Sequence, residues 1–140
     1  MPEAPIIEKL SYKLDNATDY TELQKLVDGG AMLDVYKYGN IISLKVDTNL
    51  DDAINLGLLA ETLTYTWYVQ EPDTPARELT EKDIGLNTLL DVDTVLNSKE
   101  IKVRCVSDGA VYSYYCVITN EIQGKTAEVN SSSYNTFTIA

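Results

Sequence analysis

Two carboxylate pairs are the side chains of this sequence best suited to acid–base chemistry, because the chain contains no histidine. Asp51 and Asp52 are adjacent, and Asp91 and Asp93 are two positions apart. Two carboxylates work as acid and base only where their environments separate their pKa values. Neighbouring acids more often share a solvated surface, and the commonest general base is missing. We therefore expect that this protein is not an enzyme.

Metal and phosphate sites are also weakly indicated. Asp47, Asp51 and Asp52 offer the clustered oxygens that calcium prefers, but their spacing does not resemble the twelve-residue calcium loop. Gly29 and Gly30 lack the Lys and Ser or Thr that follow in a phosphate-binding loop. The sequence predicts no metal and no cofactor.

The two cysteines, Cys105 and Cys116, have a spacing that does not fit zinc ligation, and two cysteines cannot supply four ligands. They are either buried thiols or the two halves of one disulfide. A reducing compartment favours two buried thiols.

The charge balance excludes some partners. The net charge is −11, with 22 acidic against 11 basic residues, so nucleic acid and anionic membranes are not expected to bind. No window approaches the roughly 18 consecutive apolar residues of a membrane span. Residues 1–5 have neither a basic start nor an apolar run, so no secretory signal is predicted. We expect a soluble protein with an acidic surface, able to dock on a basic one.

Two alternating stretches position the core. Residues 63–69 place Trp67, the only tryptophan, on the same face as Tyr65, the period-two pattern of a half-buried strand. Residues 112–118 place Tyr114 and Cys116 on one face in the same way. We expect these two strands to be neighbours at the centre of the fold. The predicted core residues are Leu44, Val46, Tyr65, Trp67, Tyr114 and Cys116.

The chain divides at residue 34 on this pattern. Strand signals recur at regular spacing in residues 35–140, which predicts an all-β, antiparallel sandwich. Residues 1–34 are predicted to be an arm containing a short helix over Thr21–Val27, ended by Gly29 and Gly30. Residues 6–14 could be extended arm or a first strand. So short a helix needs packing. It rests either on the core edge of its own domain or on another chain.

Residues 39 to 139 resemble an immunoglobulin-like domain of the kind found in bacterial and tailed-phage structural proteins. The matching residues are Gly39-x-x-Ile42-x-Leu44-x-Val46, Tyr65-x-Trp67-Tyr68, and Tyr114-x-Cys116 followed by Asn120 and Gly124. The resemblance implies an immunoglobulin-like sandwich with a tyrosine corner at Tyr114. The chain departs from antibody-type domains at Val46, where these carry the first cysteine of their disulfide.

The resemblance implies a virion structural protein, a capsid decoration or head-fibre subunit or a tail-associated one. Its partners would be capsid or tail proteins within a homo- or hetero-oligomeric assembly, and its location the virion. Residues 1–34 would supply the docking arm. The expected assembly interface consists of Ile6, Ile7, Leu10, Leu23, Leu26 and Val27.

The alternative is an extracellular adhesion or carbohydrate-binding module of a bacterial surface protein, located at the cell surface. It would bind a host glycan through Tyr68, Tyr115 and the loop of residues 48–62. Tyrosine supplies contact area at low entropic cost and a polar tip, which suits such interfaces. The competing interpretation is that these tyrosines simply decorate the outer side of their strands.

Overall fold

The chain folds into two β-sheets. A computed structural model describes residues 4–22, 31–33, 39–59, 62–106, 112–122, 125–130 and 137–139. In chain order the elements are β1 (Ile7–Leu14), β2 (Thr21–Glu22), β3 (Ala31–Leu33), β4 (Ile41–Thr48), α1 (Asp51–Asn55), β5 (Thr62–Gln70), β6 (Arg77–Glu78), a short 3-10 helix (Glu81–Asp83), β7 (Glu100–Arg104), β8 (Tyr112–Ile122), β9 (Lys125–Asn130) and β10 (Phe137–Ile139). The expectation of an all-β fold is confirmed. Within the described residues α1 is the single α-helix, and no helix there has the length and apolarity to span a membrane.

The first sheet has four antiparallel strands in the order β2-β1-β4-β7. β4 lies at its centre, where Ile42, Leu44 and Val46 alternate with more polar residues and are buried. Leu10 of β1 lies opposite Val46, and Ile101 of β7 lies opposite Leu44. Because side chains alternate along a strand, this register puts the apolar residues of all three strands on one face.

The second sheet has six strands, in the order β3-β10-β8-β5-β6 with β9 also paired to β8. β5 and β8 form its centre through nine antiparallel residue pairs, and Trp67 faces Cys116 across them. β9 and β10 follow one another along the other edge of β8, both antiparallel to it. β3 pairs with β10 in parallel, so the sheet is mixed.

One hydrophobic core joins the inner faces of both sheets. Trp67 is its largest fully buried side chain, and its indole N–H donates to the Ser98 carbonyl at 2.8 Å. A buried Trp needs such a partner for its polar atom. Of the residues predicted to form the core, Tyr65 is half-buried and the others are buried. The buried ones are Leu44, Val46, Trp67, Tyr114 and Cys116.

The N-terminal strand corrects the expected division at residue 34. β1 pairs with β4 from Ile7 to Leu14 and contributes Ile7 and Leu10 to the core. Ladder hydrogen bonds and apolar burial make residues 7–14 part of the first sheet rather than a separate arm. Ile7 and Leu10 are therefore not available as the docking residues that the sequence predicted.

The predicted helix is wrong at its first two residues. Thr21 and Glu22 form β2, with Thr21 opposite Tyr12 and Glu22 opposite Ser11. Tyr20, just before them, lies against the outer face of the sheet with Lys45 Nζ 3.8 Å from its ring centre. Pairing with β1 thus outweighs the local capping pattern. The remaining predicted contacts, Leu23, Leu26 and Val27, lie outside the described residues.

Both cysteines are buried thiols, one directly after a strand of the first sheet and the other within a strand of the second. Cys105 follows β7, which pairs with β4, whereas Cys116 lies in β8. β7 and β8 are therefore not neighbours in one sheet, although they are consecutive strands. Burial raises the pKa of the Cys116 thiol, so the reactive thiolate form is disfavoured.

Arg104 fastens the irregular segment before β7 to the first sheet. Its Nη1 donates to the carbonyls of Gly85 and Thr88 at 2.9 and 2.8 Å, and its Nη2 donates to Asp91 Oδ1 at 2.8 Å. These three hydrogen bonds from one guanidinium connect residues 85–91, which belong to no long strand, to β7.

Candidate binding surfaces

A stacked tyrosine pair lies on the outer face of the second sheet. Tyr68 of β5 and Tyr115 of β8 are directly opposite, with ring centres 4.9 Å apart and ring planes at 11°. Their neighbours Trp67 and Cys116 point inward, so strand alternation turns both tyrosines outward. We call Tyr68 and Tyr115 the tyrosine pair. The structure brings together the two residues that the sequence singled out as a ligand patch.

The tyrosine pair has mostly uncharged neighbours on its face. Thr66 and Val117 form the next outward pair along the strands, and β6 places Glu78 beside Tyr68. Both rings are half-buried. Each stacks one face on the other ring. Such a surface suits a sugar ring or a flat apolar protein surface.

In its described residues, 48–59 and 62, the loop of residues 48–62 lies beside the Thr62 end of β5 and not at the tyrosine pair. Thr62 begins β5, and Tyr68 lies six residues further along it, about 20 Å away at roughly 3.3 Å per residue. The single patch expected from the sequence is therefore two separate surfaces. Sequence alternation predicts which face a residue takes but not which loop lies over it.

We define the loop end as Ile6 together with residues 49–59, where β1 begins and β4 ends. The Ile6 N–H donates to Asn49 Oδ1 at 2.8 Å, and the Asn49 N–H donates back to the Ile6 carbonyl at 3.1 Å. Asp51 accepts hydrogen bonds from the Thr48 N–H and hydroxyl, which fixes the start of α1. Ile6, Leu56 and Leu58 are exposed on this end. Several exposed large apolar side chains at one end are typical of an interaction surface.

A groove runs between α1 and the nearby edge of β5. Its volume is about 430 Å³, and Ile54, Leu63 and Tyr65 provide its apolar lining. Burial raises the pKa of the Tyr65 hydroxyl, and the Asp51 carboxylate raises it further, so Tyr65 stays a neutral phenol. We call this the β5 groove. Its full lining is Asp51, Ile54, Asn55, Thr62, Leu63, Tyr65 and Lys99.

Lys99 bridges carboxylates at the mouth of the β5 groove. Its Nζ lies 2.9 Å from Asp47 Oδ1 and 3.7 Å from Asp51 Oδ2. Burial lowers the pKa of Lys99, but the hydrogen bond to Asp47 and the charges of Asp47 and Asp51 outweigh it and raise the pKa overall. Lys99 therefore remains a cation between the two acids. Among the described residues no group of three or more His, Cys, Asp or Glu is arranged to hold a metal ion.

In each carboxylate pair considered for catalysis, the two acids have different hydrogen-bond partners and exposure. Asp91 is tied to Arg104 at 2.8 Å, whereas Asp93 is exposed. Asp51 is bonded to Thr48 and lies near Lys99, whereas Asp52 is exposed. Asp51 and Asp52 both line one cavity of about 340 Å³, together with Lys9 and Lys99. Acid–base chemistry requires environments that separate the pKa values of two carboxylates.

Sequence reasoning missed the β5 groove and the apolar loop end. Tyr65 was expected in the core, yet it is only half-buried, as is Leu63 on the same strand. Leu56 and Leu58 stood in an apolar segment whose exposure no local pattern revealed. Two prolines in residues 71–75 are a partial signal for the groove, because proline confines a strand to a sheet edge.

Comparison with known proteins gives no match. No family model matches the chain, and no matching curated protein or solved structure was found.

Proposed function

We propose that this chain is a non-enzymatic structural subunit of a virion, an immunoglobulin-like module that docks on capsid or tail proteins as a decoration, head-fibre or tail-associated component. The observation that carries the proposal is the distribution of strands between the two sheets. The resemblance of residues 39 to 139 to phage structural modules points to the virion.

The strand distribution agrees with an immunoglobulin-like arrangement. Such sandwiches place strands A, B and E in one sheet and strands C, F and G in the other. Here β1, β4 and β7 share the first sheet, and β5, β8 and β10 share the second. Trp67 on β5 occupies the place of the buried strand-C tryptophan, and Tyr114 precedes Cys116 on β8 as in a tyrosine corner. These correspondences support the immunoglobulin-like assignment.

Docking is assigned to the loop end rather than to a separate N-terminal arm. Of the arm residues first expected at the interface, Ile6 is exposed, and Leu56 and Leu58 are exposed at the same end. Burying apolar surface of this kind is the main favourable contribution to most protein association. The partner is a capsid or tail protein, and the assembled location is the virion.

Mass spectrometry of purified particles tests the assignment. Particles produced by the genome that carries this gene should contain the chain in a fixed ratio to the major capsid or tail protein. A chain abundant in the cell extract but absent from purified particles would contradict the virion role.

Polar substitution of the loop end should reduce incorporation into particles. For Leu56→Ser with Leu58→Ser, we expect at least about a tenfold loss, because two exposed apolar contacts of roughly 1 kcal/mol each are removed. Leu86→Ser is the matched control, since Leu86 is 76% exposed against 73% for both loop-end leucines and lies elsewhere. Equal incorporation of the loop-end and control variants would refute docking through this end.

A second candidate function is favoured by the tyrosine pair. An extracellular module at the bacterial surface would bind host glycan on the outer face of the second sheet, with sugar rings against Tyr68 and Tyr115. A glycan array should then give hits that Tyr68→Ala and Tyr115→Ala each remove while the protein stays folded. An array with no hit, or hits that survive both changes, excludes this role for the pair.

A further inference from the structure

Half of the outer edge of β5 is paired with no described strand. β6 pairs only with Tyr68 and Val69, and the Leu79 N–H bonds to the Trp67 carbonyl just beyond them. Toward Thr62, the Tyr65 N–H donates a hydrogen bond across this edge to Asn97 Oδ1 at 2.8 Å. Residues 62–66 are Thr, Leu and Tyr, without the charges or proline that protect natural sheet edges.

The backbone groups on this edge follow from strand geometry. In an antiparallel sheet the N–H and C=O of one residue point to the same side, and the side alternates along the strand. Tyr65 directs its N–H to Asn97, so Leu63 directs both its N–H and its C=O to the same edge. The β5 groove lies beside these groups and is lined by the side chains of Leu63, Tyr65 and Ile54. The edge therefore has both backbone groups at Leu63 that pair with no described strand and an adjacent apolar groove.

We propose that the β5 edge binds an extended basic peptide segment of a partner protein, which adds antiparallel to Leu63 as a further strand and replaces Asn97 as the acceptor for the Tyr65 N–H. Adding a strand to an exposed sheet edge is a general mode of peptide recognition, in which main-chain bonds give affinity and alternate side chains give specificity. Here every second side chain would enter the β5 groove and should be apolar. The others would point outward.

Charge identifies the partner as basic. Asp51 and the exposed Asp52 lie on the α1 side of the edge, and Glu121 lies directly opposite Thr62 on the outer face. Lys99 is already held by Asp47 and Asp51. With a chain net charge of −11, a second copy would bring like charges together, whereas a lysine-bearing strand is attracted.

The inference rests on the proposed function in treating the chain as a binding subunit, and it adds the chemistry of one partner segment. Particle mass spectrometry and peptide titration are separate measurements. Peptide binding by a chain absent from particles would leave the site in place and remove the virion role. Incorporation of the chain into particles without peptide binding would support the virion role and remove the peptide site.

Titration of the full chain with capped heptapeptides that alternate Lys and Val is the test, monitored by amide NMR. The peptide should shift the Leu63 and Tyr65 amides and slow their hydrogen exchange, with a dissociation constant at or below roughly 1 mM. A Glu and Val version should bind about tenfold more weakly because of repulsion by the carboxylates. Asp52→Lys should reduce the difference in affinity between the Lys and Glu peptides. Asp93 is an exposed acid elsewhere, and Asp93→Lys should leave that difference unchanged.

Two N-methylated peptides provide the sharpest comparison. A residue directly opposite Leu63 shares its inward face and exchanges hydrogen bonds with it, so valine amides face β5 and lysine amides face solvent. Methylation of the valine amides should abolish binding, and methylation of the lysine amides should preserve it. The proposal would be overturned if both methylated peptides behaved alike or if no peptide bound at millimolar concentration. It would also be overturned if the Leu63 amide were protected before peptide is added, or if the chain self-associated through this edge.

Discussion

Trp67→Ala should lower the free energy of unfolding by about 3–5 kcal/mol, the range for removing a large buried aromatic side chain. Trp67 is buried between the two sheets, and its indole N–H bonds to the Ser98 carbonyl. A domain of this size has a total stability of roughly 5–15 kcal/mol, so the variant should be close to unfolding. Urea denaturation followed by circular dichroism measures the change.

Tyr68→Ala is the matched control for Trp67→Ala. Tyr68 is the next residue on β5 but faces outward and stacks on Tyr115. Losing that stack and its half-buried area should cost about 1–2 kcal/mol. If Tyr68→Ala destabilised the protein as much as Trp67→Ala, the assignment of inner and outer faces would be wrong.

Arg104→Ala should lower the free energy of unfolding by about 3–5 kcal/mol, because it leaves a largely buried carboxylate and two carbonyls without their donor. The side chains of Arg104 and Asp91 are only 12% and 15% exposed. Without the arginine, the Asp91 carboxylate has no cationic partner and little contact with solvent. Replacing both residues, as in Arg104→Met with Asp91→Leu, should recover part of the loss. Denaturant unfolding of the three proteins gives these values.

Arg77→Ala is the control for Arg104→Ala. Arg77 also donates three hydrogen bonds, to Glu71 and to both oxygens of Asp83, but its side chain is 43% exposed. The Asp83 side chain is only 13% exposed, but it keeps the Thr80 N–H as a donor when Arg77 is removed, and the guanidinium itself is solvated. The loss should therefore be about 1 kcal/mol. A loss for Arg77→Ala equal to that for Arg104→Ala would show that burial is not what makes the Arg104 cluster matter.

Local alternation was enough to predict the centre of the fold. The period-two patterns around Trp67 and Cys116 assign faces without knowledge of the rest of the chain, and these two residues do lie opposite one another. The outward position of Tyr68 and Tyr115 follows from the same alternation. Their stacking additionally required β5 and β8 to pair in one particular register.

Features that depend on long-range pairing were not predictable from the sequence. The role of β1 depends on β4, more than 25 residues later, and the local pattern left residues 7–14 open as either an extended arm or a first strand. Thr21 and Glu22 follow a plausible helix cap but pair with β1 instead. The β5 groove exists because β6 is short and α1 stands beside the uncovered half of the strand. The prolines after β5 favour a short edge strand, but no local window places α1 beside β5.

Hydrogen exchange of the single tryptophan indole N–H, followed by NMR, tests most directly the two-layer packing on which every proposed surface depends. With the indole buried and bonded to the Ser98 carbonyl, its N–H signal should persist in deuterated buffer far longer than that of a solvent-exposed indole. A signal lost as fast as that of free tryptophan would contradict the packing of the two sheets around Trp67.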